Sequence, residues 1–347
     1  MRRAIGLMLV FVMLFLTSCS GNNSPGHSSP APFVPGESSA AESGAPDSSS
    51  APEASSLPES SAGDRENSVE PPYYESFSWV VAPNIGAERM FPLRNADDPG
   101  TLTSSPLILF EADGLLGIRN PDGEIVLPAE YFDIAYSASS GGIIALPAGS
   151  TSYVRLNAQY EPMFDVEYMY DIMPQALYFW DSHNRIVRYA ETGEPYADDA
   201  FVIIAESDGS EGPFAIANGA GLTTGFSYQG FGPNTMSNQF WLKDSSGWHL
   251  VTPSGDDLLS EVSVMPRKER SLRMVNQGEI AVDLIDVAPY PCSEGYYVLE
   301  NASGMWAYFD ASGNQVTEFI FEGATPVSHG TAWVKWQGYW GVIRLLQ

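Results

Sequence analysis

The octapeptide WAYFDASG at 306–313 decides how the rest of the chain is read. It sets a bulky apolar residue before strand-forming residues, then a polar turn, then a glycine. The same order recurs as LGIRNPDG at 116–123, IVRYAETG at 186–193, FAIANGAG at 214–221 and WHLVTPSG at 248–255, and it opens again as WGVIRL at 340–345. YVRLNAQY at 153–160 is a weaker copy without the glycine. Successive copies start 37, 33, 28, 34, 58 and 34 residues apart. A period near 34 with one long insertion is the mark of a repeat architecture.

Each copy has the physics of a β-hairpin. In the best one a strand from Trp306 to Phe309 meets the turn Asp310-Ala311-Ser312-Gly313, and a second strand opens at Gln315-Val316. The glycine stands where the chain needs positive φ. Another apolar strand lies upstream, as in Tyr296-Tyr297-Val298-Leu299 or Thr331-Ala332-Trp333-Val334. Every unit therefore offers three or four short strands and no amphipathic helix of useful length, so the fold class is all-β.

The stretches PCSEGYYVLENASGMWAYFDASGNQV at 291–316 and EGATPVSHGTAWVKWQGYWGVI at 322–343 resemble the WG-repeat proteins of bacteria. Only Trp340-Gly341 keeps the Trp-Gly pair literally; Leu116-Gly117 keeps the glycine, and Trp306-Ala307 the tryptophan. VLPAEYFDIA at 126–135 is similar to the family's V-I-P-x-x-Y-D-x-A segment. The resemblance is good in the first and last units and loose between Ala148 and Val264. It implies a β-repeat fold with no established common activity.

One such unit cannot bury both faces, so the units stack or close into a ring. A closed β-propeller-like ring of six to eight blades is expected, because the last unit lacks the second half of its hairpin after the Trp-Gly strand. Phe77 to Val81 or Arg89 to Leu93 could supply the missing strand and remove the open edges. The alternative is an open β-solenoid.

Ahead of the repeats, Arg2 and Arg3 precede an apolar run from Leu7 to Leu16, the layout of a secretory signal peptide and too short to span a bilayer. Leu16-Thr17-Ser18-Cys19 follows directly and resembles the lipobox of bacterial lipoproteins, which implies lipidation of Cys19. From Ser20 to about Pro72 the chain is rich in Ser, Pro, Ala, Gly and Glu, with too few apolar residues to offset the entropy of ordering. The expected organisation is a signal peptide at 1–18, the lipidated cysteine and a tether at 19–72, and the β-repeat domain at 73–347. That places the domain outside the cell membrane, held to it by lipid, and suits a Gram-positive surface.

The formal net charge of −27 opposes binding to nucleic acid or directly to an anionic membrane. The basic cluster Arg267, Lys268, Arg270 and Arg273 reads as a solvated loop. With Cys19 lipidated, Cys292 has no partner and reads as a small buried apolar residue. His27, His183, His249 and His329 are scattered without metal-ligand spacing, so no metal or cofactor is expected. GAGLTTG at 219–225 lacks the lysine of a phosphate loop and reads as a hairpin end. Asp198-Asp199 and Asp256-Asp257 read as solvated loop tips, and ESDGSEG at 206–212 does not match the EF-hand pattern.

Trp248, Trp306 and Trp340 hold the core position of the repeat. Trp180, Trp241, Trp333 and Trp336 are freer to line a ligand surface, although core burial is favoured. No catalytic or ligand-binding residue is assigned. The expected function is a non-catalytic binding or scaffold module for a wall polymer or an envelope protein; the alternative is an extracytoplasmic hydrolase using acids at one face of the ring.

Overall fold

The computed structural model describes residues 71–98, 101–166, 178–206, 212–233, 236, 238–275 and 279–346. The expected signal peptide, Cys19 and all of the expected tether except Pro71 and Pro72 lie outside them. All regular structure among the described residues is β, mostly antiparallel, and no sheet closes on itself into a barrel.

Strand β1 (Phe77–Ile85) stands first. The first unit holds β2 (Arg89–Pro92), β3 (Arg94–Asn95), β4 (Ile108–Ala112), β5 (Leu115–Arg119) and the start of β6 (Ile125–Ser137). The rest of β6 begins the second unit, with β7 (Gly142–Pro147), β8 (Tyr153–Leu156) and β9 (Pro162–Val166). The third is β10 (Tyr178–Asp181) and β11 (Ile186–Tyr189). The fourth is β12 (Val202–Ala205), β13 (Phe214–Asn218) and β14 (Gly221–Leu222). The fifth is β15 (Gly230–Phe231), β16 (Phe240–Lys243) and β17 (Trp248–Val251). A separate hairpin, β18 (Arg267–Val275) with β19 (Glu279–Val287), fills the long 58-residue spacing. The sixth unit is β20 (Tyr296–Glu300) and β21 (Trp306–Asp310), and the seventh is β22 (Gly323–Ala324), β23 (Ala332–Trp336) and β24 (Tyr339–Leu345). Every sequence copy supplies the same strand of its unit, namely β5, β8, β11, β13, β17, β21 and β24.

In the first, second and sixth units the polar part of the copy is a five-residue turn closed by the side chain of its first residue. Asp310 Oδ1 accepts from the amides of Ser312 at 2.8 Å and Asn314 at 2.9 Å. Asn120 does the same for Asp122 and Glu124, and Asn157 for Gln159 and Glu161. The fourth residue of this turn is left-handed, with Gly313 at φ 85°. In the copy without glycine, Tyr160 occupies that place at φ 63°, a conformation that costs about 1–2 kcal/mol for an L-residue.

The glycine of the Trp-Gly pair answers a different need. A Cβ on Gly341 would lie 2.7 Å from Val81 O, beneath a register shift in β1. One on Gly117 would lie 2.5 Å from Leu127 O, beneath a register shift in β6. Where Ala307 stands instead, the next segment forms no regular ladder with β21, meeting it through single bridges at Phe321 and Gln315 and through the Val316 and Thr317 amides on Tyr308 O.

Alternation along the strands explains why they read as continuous apolar runs. In the sixth unit Tyr297, Leu299 and Phe309 pack on Trp241 and Leu250 of the fifth, whereas Val298 and Tyr308 pack on Val334 and Ile343 of the seventh. In the fourth unit Ile203, Phe214 and Ile216 face the fifth, while Val202, Ile204 and Ala215 face Trp180 and Val187 of the third. The fourth and sixth sheets are thus buried on both faces by their neighbours. Trp340 and Val342 carry the packing from the seventh unit to Met90, Ile108 and Phe110 of the first, and Ile118 and Leu127 carry it on to Ile134 and Leu156. At about 1.5–3 kcal/mol per large apolar side chain, these interfaces hold the array together.

The last unit is completed from the other end of the domain. β1 pairs antiparallel with β24, Phe77 opposite Leu345, Trp79 opposite Ile343 and Ile85 opposite Trp340. This is the first of the two pairings expected from the sequence. The second candidate segment, from Arg89, pairs instead with β4.

Candidate functional site

The turn between β16 and β17 brings together the one nucleophile, imidazole and carboxylate arrangement among the described side-chain hydrogen bonds. Asp244 Oδ1 accepts the Ser246 amide at 2.7 Å and so closes the turn. His249 follows on β17 opposite Leu242, and Asp257 is brought alongside by its bridge to Val251. His249 Nδ1 lies 2.8 Å from Asp257 Oδ2, and Nε2 lies 2.9 Å from Ser246 Oγ. The distances are those of a Ser-His-Asp triad.

A second carboxylate changes the chemistry. Asp244 Oδ1 is 2.6 Å from Ser246 Oγ and 3.1 Å from His249 Nε2, so both nitrogens of the ring face carboxylates. Partial burial works against the charge on His249, but the hydrogen bonds and attraction of Asp257 and Asp244 outweigh it and raise its pKa. The bond from Ser246 and the positive ring hold Asp244 down to about 2. An imidazolium has no lone pair with which to take the serine proton, and the single hydroxyl hydrogen is drawn to the nearer carboxylate. While the ring carries its second proton, the arrangement positions the serine without activating it. Asp257 is accordingly an ion-pair partner, not a solvated tip, while Asp256 accepts from Ser254 in its own turn.

The basic cluster is not a solvated loop but strand β18, and each cation has an acid. Lys268 pairs with Asp286, Arg273 Nε with Asp283 at 3.0 Å, and Arg267 with Glu269 at 2.7 Å while lying 4.6 Å over the ring of Tyr290. Arg270 leaves the hairpin altogether. Its side chain, 8% exposed, pairs with Glu111 of β4, whose other oxygen is 2.6 Å from Arg89 Nε. Arg270 also donates to Gly114 O at 3.0 Å and Phe132 O at 3.1 Å. Beside it, Asp133 accepts from Arg94 and, at 2.7 Å, from Tyr153. No sequence spacing reveals this cluster, because Arg270 and Glu111 are 159 residues apart.

The remaining candidates resolve individually. GAGLTTG is the end of the β13–β14 hairpin, as read, with Asn218 capping the amides of Ala220 and Gly221. His183 sits in an exposed turn whose amides bond Asp181. His329 meets Ser328 at 3.0 Å, and its amide, with that of Gly330, holds the Glu294 carboxylate. Trp180, Trp241, Trp248, Trp333 and Trp340 are core residues; Trp306 is partly buried; Trp336 is half-buried with its ring 6.3 Å from Trp79. Cys292 is only partly buried, and that burial pushes its thiol pKa up. Most of ESDGSEG lies outside the described residues. Among the described residues no group of three or more His, Cys, Asp or Glu is placed to hold a metal ion.

A cavity of about 60 Å³ between the first and seventh units is lined by Leu93, Pro106, Ile108, Val327 and Trp333, with Ser328 and His329. Small-molecule pockets run to roughly 300–1,000 Å³, so this one suits a water or a methyl-sized group.

Residues 306–340 match the family model described as WG containing repeat, which makes this part of the chain a WG repeat. No curated protein matches the chain. Among solved structures, the crystal structure of Hsv2 from Kluyvelomyces marxianus aligns over 71% of this chain and 82% of its own, at 8% identity and a TM-score of 0.18, too low a score to bear on fold or function.

Proposed function

We propose that this chain is an exported lipoprotein anchored through Cys19, and that its seven units form a closed, propeller-like ring acting as a non-catalytic binding or scaffold module outside the cell membrane. The observation that carries the reading is the pairing of β1 with β24, which joins the two ends of the repeat domain through one sheet. Packing runs without a break from the third unit round to the seventh, first and second, which supports a ring over an open solenoid. A strongly acidic domain set off from its anchor by an acidic Ser- and Pro-rich stretch fits recognition of a wall polymer or an envelope protein rather than of nucleic acid.

Fractionation of Cys19→Ala tests the anchor: release into the soluble fraction with an unchanged melting temperature is expected, and unchanged membrane retention would overturn it. Co-sedimentation of the purified domain with cell-wall sacculi, against crosslinking to envelope proteins in intact cells, tests the partner class. The hydrolase reading has one observation in its favour, the Ser246, His249 and Asp257 geometry. Asp244→Asn discriminates, since it removes the competing carboxylate: an enzyme would gain ester hydrolysis with a pH profile set by His249, whereas a binding module would not.

A further inference from the structure

The β18–β19 hairpin leaves the chain between the fifth and sixth units but docks on the first and second. Its base is fixed by Arg267 over Tyr290, a residue packed among Val298, Tyr308 and Val334 of the sixth and seventh units. Its far part places Leu272 and Ile280 against Ala135, Ile144, Leu146 and Tyr153 of the second unit. Between these two anchors Arg270 reaches Glu111 and the carbonyls of Gly114 and Phe132. Five residues of strand from Arg267 to Leu272 cover about 17 Å. In a seven-membered ring the departure point and the docking point are separated by more than two units in either direction, so a ribbon joining them over that distance crosses near the axis. Two apolar side chains and one buried cation hold it there, and neither edge of the ribbon pairs with another strand among the described residues.

We infer that this hairpin is a strap across one mouth of the ring, latched by Arg270 on Glu111, so that ligands reach the axis on that side only when the latch opens. The inference rests on the ring reading for the existence of a mouth; the docking itself rests on the named contacts. Cross-strand pairs Lys268–Asp286 and Arg273–Asp283 keep the ribbon intact when it is undocked, which is what a strap that lifts as one piece requires. Arg89 remains on Glu111 when Arg270 leaves, so opening does not strand the carboxylate alone.

The test is hydrogen exchange and spin-label distance on the full chain, with Cys19 and Cys292 replaced by serine and labels at Ser271 and Asp113. Wild type should give one narrow distance between them. Arg270→Met should broaden it and speed amide exchange in 267–287 at least tenfold while β20, β21, β23 and β24 keep their protection. Unchanged exchange in the hairpin, or an increase spread equally through those strands, would overturn the latch. If Arg270→Met proves too unstable to purify, Leu272→Ser probes the same docking and should broaden the same distance. A second label pair at Thr151 and Glu191 reports on the neighbouring second and third units. A broad distribution there beside a narrow 271–113 distance would overturn the ring, and with it the strap's role as a cover, while leaving the docking intact.

Discussion

The sixth unit and the hairpin that precedes it are both antiparallel pairs, yet they are held by opposite means. β20 and β21 have buried residues on both faces, from Tyr297 and Leu299 on one to Val298 and Tyr308 on the other, and their polar groups are confined to turns. β18 and β19 carry four cations against four acids and touch the repeat units at only a few side chains. Apolar burial on both faces ties a strand to its neighbours without direction, so the repeat sheets rise and fall together. Charge pairing ties the hairpin at named points, so it can be released at those points.

The largest effect should come from the shared apolar body. Phe77→Ala removes a side chain that is 1% exposed and touches Tyr74, Trp79 and Phe321, and should cost about 3–5 kcal/mol by denaturant melting. The loss should appear in one transition of the whole domain; a separate early transition of the seventh unit would break the comparison.

At the latch, Glu111→Gln removes the carboxylate that separates Arg89 from Arg270, leaving only the Asp133 carboxylate nearby, and should cost about 3–5 kcal/mol. Arg270→Met should cost clearly less, because Glu111 keeps Arg89. Equal losses, measured by urea titration of both variants and their double mutant, would show that the two arginines do not share one acid.

Gly313→Ala should cost about 2–3 kcal/mol, since its φ of 85° disfavours a side chain and a Cβ would sit 2.4 Å from Leu258 O. Tyr160→Gly, at the same turn position of the second unit, should change stability by under about 1 kcal/mol, as relief of the left-handed strain offsets the partly buried ring. Thermal melts of the two variants side by side measure how far these two turns are equivalent.

The smallest expected effect is a pH slope. His249 has a folded pKa raised above its unfolded value, so its stabilisation is complete below about 6.5 and fades as pH rises through the folded value. Melting temperature should therefore drop slightly between pH 6 and 8, and His249→Gln should flatten that part of the curve. A slope that survives the substitution would assign it to another group.

The repeat was legible because it is local: an apolar strand, a polar turn and a left-handed residue at or near the turn's end all lie within eight positions, even in the loose middle of the chain. The completing strand was also legible, since an unfinished final hairpin and unclaimed strand-like residues at Phe77 to Val81 answer one another. Other strands were not, because β14, β15 and β22 are two residues each and exist only through their neighbours. The basic run misled because its meaning depends on Glu111, Asp283 and Asp286, and charge density alone does not distinguish a solvated loop from a paired ribbon. His249 escaped notice for the same reason: its partners Asp244 and Asp257 fall on two different turns of one unit.

The clasp between β1 and β24 also bears on the order in which the molecule can be made. A chain synthesised from its N-terminal end presents β1 first, yet Ala87 O, just after it, and the Trp340 indole that donates to it are 253 residues apart. The earliest strand to emerge is therefore the last to find its partner. Until β24 has been made, Phe77, Trp79 and Ile85 have no sheet to join, and an unpaired apolar edge is what aggregation and quality-control proteases recognise. Closing it at the end costs loop entropy that grows only logarithmically with length, so the delay is long but the final step is thermodynamically light. Synthesis from the N-terminal end thus makes the finished seam a mark of completeness: a chain interrupted before β24 keeps its first strand exposed.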